Sequence, residues 1–171
     1  MLTTALLALL LTAAQGPVVS SPAPASDRSA AIPAVTASTG RHFALRLRPG
    51  QDLQKEVLAF AKRQNLQAAA IVTGVGSLKT ATVRFANQPE GTPLTGPFEI
   101  VSLVGAFTRD GGHLHIALSD GTGATLGGHL MPGSAVFTTV EIVLVELDRL
   151  AFAREKDSET TYDELVVRPR K

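Results

Sequence analysis

In HFALRLRPG, residues 42–50, Phe43, Leu45 and Leu47 occupy alternate positions with mostly polar groups between them. That two-residue period predicts a half-buried strand, ended by Pro49 and Gly50. In QDLQKEVLAFAKRQNL, residues 51–66, the spacing becomes helical: Leu53, Val57, Phe60 and Ala61 form one stripe, Asp52 sits in the first turn and Asn65 supplies a stop. AAAIVTGVGSL (68–78) reads as a short buried strand punctuated by glycines, and TATVRFA (80–86) alternates as a further strand. NQPEGTPLTGP (87–97) has the composition of a loop. FEIVSLVGAF (98–107) and AVFTTVEIVLVEL (135–147) are strand-like and apolar on both faces. AFAREKDSETTYDELVV (151–167) reads as strand, polar loop, strand. Together these predict an α+β class: one compact domain, a mostly antiparallel or mixed β-sheet of seven or eight strands, and one main helix. The sheet is expected to be covered on both sides, partly by the helix. No internal repeat is visible.

The beginning of the chain follows other rules. MLTTALLALLLTAAQG carries an apolar run from Ala5 to Leu11, far short of the ~20 residues needed to span a bilayer. Thr12 and Ala14 then stand before a cut near Gln15. Residues 1–15 are therefore expected to be a secretory signal, placing the mature chain in the periplasm or outside the cell with no membrane attachment after cleavage. A start further downstream would leave it cytoplasmic. Residues 16–40 keep no period and hold four prolines, as a flexible Ala/Ser/Pro linker does, so the folded domain is expected over 41–171.

Composition narrows the functions. Across 171 residues, 16 Lys and Arg face 15 Asp and Glu, without the clustered positive charge on which phosphate-backbone binding rests. RPRK (168–171) is the densest basic run and is terminal. The chain has no cysteine, which excludes disulfides, thiolate metal sites and cysteine nucleophiles. There is no G-x-S-x-G, no phosphate-binding Gly-Lys motif and no dinucleotide fingerprint.

Three of the four histidines lie in GGHLHIALSDGTGATLGGHLMPG, residues 111–133. A strand pleat puts His113 and His115 on one face, roughly 6–7 Å apart, and Leu114, Ile116 and Leu118 on the other. A hairpin with the three-residue loop Gly121-Thr122-Gly123 sets His129 across from His115 and diagonal to His113. A two-residue loop would send His129 to the opposite face, and a bulge at Gly127-Gly128 would shift it. Three neutral imidazoles on one patch suit zinc or a similar divalent ion with a fourth position open. A polar site for an organic ligand, or surface histidines without a role, are the other readings. His42 reads as a plain surface residue.

GPFEIVSLVGAF, HLHIALSDGTGATLGGHL, TTVEIVL and REKDSETTYDEL, with LRLRPGQDL and AAAIVTGVGSL, together resemble the plants-and-prokaryotes conserved (PPC) domain in its prokaryotic form, from about Arg41 to Val167. The resemblance implies a compact α+β domain that assembles as a homotrimer. It also implies that His113, His115 and His129 match the ligands of a metal site. In plants the domain follows AT-hook motifs in nuclear DNA-binding proteins; this chain has no RGRP-type hook.

Glu99 and Glu141 lie inside apolar strand runs. Each is a candidate buried carboxylate with a raised pKa, able to act as a general base beside a three-histidine metal, or else a structural carboxylate answering Arg154 or Arg84. Arg154 and Tyr162 are candidate anchors at a subunit boundary, against a plain solvated loop. The expected function is metal-dependent binding of a small-molecule ligand, or an enzymatic activity with no assigned substrate. The alternatives are a DNA-binding regulator and a structural assembly module.

Overall fold

The structure is a computed structural model that describes residues 37–171. The expected signal (1–15) and most of the expected linker lie outside the described residues. Eight strands and one helix follow in the order β1 (Gly40–Leu47), α1 (Leu53–Arg63), β2 (Ala69–Arg84), β3 (Thr92–Thr108), β4 (Gly111–Ser119), β5 (Thr125–Met131), β6 (Val136–Leu147), β7 (Leu150–Lys156) and β8 (Asp163–Pro169). The fold is thus a mostly antiparallel β domain with a single helix. No helix among the described residues is long and apolar enough to cross a membrane.

The main sheet runs β1-β6-β2-β3-β4-β5, with an additional β2–β5 pairing. Along one edge β2 pairs with β3; along the other it pairs first with β6, from Ala69 to Leu78, and then with β5, from Thr82 to Arg84. That handover closes β2, β3, β4 and β5 into a ring. Irregular register at Ile71/Thr73 and at Gly76/Leu78 bends β2 where the handover is prepared.

Two segments differ from the sequence reading. The expected strands at 68–78 and 80–86 form one continuous strand, and the expected loop at 87–97 gives up its second half to β3, whose Thr92 pairs with Val83. Pro93 and Pro97 are tolerated there because β4 begins to pair with β3 only at Glu99, so the preceding stretch has a free edge on that side.

Helix α1 begins at Asp52, whose Oδ1 accepts from the Lys55 N–H at 3.0 Å and whose Oδ2 accepts from the Gly133 N–H at 2.7 Å. One carboxylate therefore caps the helix and ties it to the loop after β5. Leu53, Val57 and Ala61 on the expected stripe are fully buried, packed in a core with Phe107, Leu114, Ile116, Leu118, Leu130 and Leu144. Gln54 donates from Nε2 to the Leu130 carbonyl at 2.7 Å, fixing the helix beside β5.

The outer face of the sheet is another departure. Val72 and Val75 on β2, Val101 and Val104 on β3, and Phe137 on β6 are exposed in the single chain, so the sheet is not covered on both sides. The helix closes only the inner face.

Candidate metal centre

The geometry around the histidines follows from strand parity. Leu114, Ile116 and Leu118 face the core while His113 and His115 face out, as the pleat requires. The β4–β5 register sets His115 opposite His129, and Asp120 N–H donates to the Ala124 carbonyl across the turn. The turn itself is an Asx-type structure: Asp120 Oδ1 accepts from the Thr122 N–H (2.8 Å), the Thr122 hydroxyl (2.7 Å) and the Ala124 N–H (3.1 Å). The Thr122 hydroxyl bond comes first among the contacts that hold the Asp120 pKa below the usual carboxylate range. Gly123 takes φ +86°, the left-handed residue that a loop of this length calls for.

His129 is held from its other side as well. Arg84 on β2 pairs with it across the β2–β5 ladder, and a Cβ at Gly128 would meet the Arg84 carbonyl oxygen at 2.6 Å. The glycine before His129 therefore serves the close approach of β5 to β2.

His113 Nε2 lies 3.0 Å from His115 Nε2 and 3.0 Å from His129 Nδ1. The three ligand atoms all fall within 4.8 Å of one another. His113 Nε2 carries either one proton or one in-plane lone pair, so it can make a well-aligned hydrogen bond with only one of its two neighbours, whereas a cation among the three nitrogens can take a lone pair from each. With metal–nitrogen bonds of ~2.0–2.1 Å and tetrahedral angles, ligand nitrogens stand about 3.3 Å apart, near the two 3.0 Å separations from His113 Nε2, while the third pair lies within 4.8 Å. The donor set therefore fits a divalent ion with one position open.

His113 and His129 both have pKa values lowered from 6.5. For His113 desolvation leads, followed by repulsion from His115, Arg154 and Arg84, with Glu164 opposing. For His129 desolvation leads again, followed by Arg84, His115 and His113. Neutral imidazole is the form that binds metal. The lowered values also set a sign for metal-free stability. Just below pH 6.5 the unfolded chain binds more protons than the folded one, so stability falls as pH drops from there through the lower folded values. Thermal melts of metal-free protein between about pH 7.5 and about pH 5 are expected to show this fall. The double variant His113→Asn/His129→Asn is expected to flatten it; an equal slope in both proteins would contradict the assignment.

The other sequence candidates divide. Glu99 and Glu141 are exposed, and neither hydrogen-bonds Arg154 or Arg84. The expectation of two buried bases is therefore corrected. Phe98 and Ile100 beside Glu99, and Val140 and Ile142 beside Glu141, take the inward positions, so parity turns both carboxylates out. Among the described residues the buried carboxylate is Glu146, the next position after Leu144 in the inward row of Val140, Ile142 and Leu144. It accepts from Arg41 Nε at 3.1 Å and Arg170 Nη1 at 3.0 Å and is not part of the histidine cluster. His42 is exposed on β1 opposite Val145, outside the cluster.

His113 and His129 open onto a cleft of about 1060 Å³. Arg84 and Gln54 line it together with His113 and His129, and Arg154, Tyr162, Asp163 and Glu164 come from the β7–β8 hairpin. On sequence alone Arg154 and Tyr162 are candidate anchors at a subunit boundary or parts of a solvated loop, and Arg84 is a candidate partner for a structural carboxylate.

A curled antiparallel sheet that carries three clustered histidines at the wall of a cleft defines a small β domain. Residues 34–148 match the Plants and Prokaryotes Conserved (PCC) domain, and the chain belongs to that family. It is 46% identical over 127 residues, 74% of its length, to the bifunctional protein GlmU of a Synechococcus strain, and spans about 20% of the length of that relative. A solved hypothetical protein from Salmonella enterica is 46% identical, with a TM-score of 0.78 over 80% of this chain and 99% of that one. A metal-containing protein from Archaeoglobus fulgidus is 27% identical, with a TM-score of 0.64 over 77% of this chain and 99% of that one. Two further solved neighbours carry names that mention DNA binding; at 19% and 22% identity their likeness shows the fold alone.

Proposed function

We propose that the chain is an exported, trimeric member of this family that binds a divalent metal, zinc first among the candidates, through His113, His115 and His129, and uses it to hold a small-molecule ligand. The observation that carries this reading is the 3.0 Å approach of His113 Nε2 to both neighbours, with no carboxylate in the cluster among the described residues. The metal-containing name of the Archaeoglobus neighbour supports it. A bound divalent ion would supply Lewis acidity at its open position, while the glycine-packed β5 and the Asp120 turn keep the imidazoles aimed at one point. Titration of the metal-free full chain with zinc, followed by elemental analysis, is expected to give one ion per chain. Uptake that does not saturate would count against the site.

Val72, Val75, Val101, Val104 and Phe137, exposed on the neighbouring strands β6, β2 and β3, support self-association, since apolar side chains of this kind are what an assembly buries. Light scattering is expected to give three copies of the chain, and one copy for Val101→Asp/Val104→Asp with unchanged far-ultraviolet circular dichroism. A wild-type monomer would end the assembly reading. Fusing residues 1–40 to a reporter tests export. The nearly balanced charge argues against nucleic acid as the partner, and a DNA titration at low salt checks it.

A further inference from the structure

Resting on the metal reading above, we infer that the ligand of this cleft is a small organic anion, a carboxylate or a phosphate monoester, whose charged head lies against the histidine cluster between Arg84 and Arg154. The four ion pairs among the described residues use Arg41, Arg109, Arg168 and Arg170. Among the described residues neither Arg84 nor Arg154 has a carboxylate within that reach, although both line the cleft. Each donates from Nη1 to one main-chain carbonyl, Arg84 to Gln88 and Arg154 to Asp163, both at 3.3 Å. Those bonds pin the guanidinium groups and leave the rest of each five-donor fork available.

The charge balance points the same way. Asp163 and Glu164 also line the cleft, so the four charged side chains cancel in sum. They do not cancel at the histidines. Glu164 Oε1 accepts from the Thr160 hydroxyl at 3.0 Å in the hairpin turn, whereas Arg84 stands in register beside His129 on the neighbouring strand. Two unpaired guanidinium groups beside a cation site oppose the cation, unless an anion completes the site. An oxyanion does so twice over, since it can meet the open metal position and the bidentate forks together. Met131, Pro132 and Tyr162 in the same lining offer apolar surface to the body of such a ligand.

Cobalt-loaded full chain provides the test, because the visible spectrum of the ion reports a change in its coordination. Acetate, pyruvate and inorganic phosphate are the probes, and the contrast among them separates carboxylate from phosphate heads. At least one is expected to shift the bands of the wild type with a saturable dependence. Arg84→Met and Arg154→Met are expected to weaken that binding about tenfold or more while cobalt content stays the same. A spectrum unmoved by all three probes, or equal affinity in wild type and both variants, overturns the inference and leaves the metal site standing. Failure of the wild type to take up cobalt overturns the metal reading, and this inference with it.

Discussion

His113→Ala is expected to leave the protein without zinc after dialysis, whereas the wild type keeps one ion per chain. His113 is chosen because its Nε2 sits between the other two ligand atoms, 3.0 Å from each. Two imidazoles at the rim of an open cleft cannot hold a divalent ion as three do, and the loss of a direct ligand exceeds the ~10–100-fold that loss of a supporting partner costs. The side chain is exposed, so its removal leaves the hairpin and the core under Leu114 in place. His42→Ala is the matched control and should keep full metal content. Elemental analysis of both, with circular dichroism to confirm folding, decides the matter: zinc retained by His113→Ala would dismiss the cluster as a binding site.

The second large effect concerns Glu146. Its carboxylate is 0% exposed, while Arg41 and Arg170 are 55% and 28% exposed. The pair of arginines, one preceding the helix and one near the last residue, closes over a buried charge from opposite ends of the described sequence. Replacing both by methionine strands that charge with only the Gln67 N–H, at 3.4 Å, as a partner. The cost is expected to be about 2–4 kcal/mol, less than for a fully enclosed pair because Arg41 is half in solvent. Glu146→Met is expected to cost less than the double arginine variant, since the groups it leaves unpaired can turn to water. Glu141→Ala, on the exposed side of the same strand, should stay within roughly 0.5 kcal/mol of the wild type. Denaturant unfolding of the four proteins gives the order, and a double arginine variant as stable as Glu146→Met would refute this account.

Glu141 and Glu146 also show where sequence reasoning held and where it slipped. Once β6 is taken as apolar on both faces, nothing distinguishes its two carboxylates. Counted by twos, the same strand places Val140, Ile142, Leu144 and Glu146 in one row and turns Glu141 the other way. The signal was present in the parity, and the uniform hydrophobicity masked it. Hydrophobicity on the outer row has a different meaning, since Val101, Val104 and Phe137 stay exposed in the single chain.

Local order was enough for the histidine hairpin. Alternation in HLHIALS, a loop with glycine at its left-handed position and the pairing of His115 with His129 depend on residues within about twenty positions of one another. Strand pleat and turn geometry act over that range, and they determine which side chains share a face. The fusion of two expected strands into β2, and the cleft built from Arg84 on β2 and Arg154 and Tyr162 on the last hairpin, were decided only in three dimensions. No periodicity links positions some seventy residues apart; closure of the β2–β5 ring and the placement of the β7–β8 hairpin bring them together, because packing and long-range pairing, not local propensity, choose those neighbours.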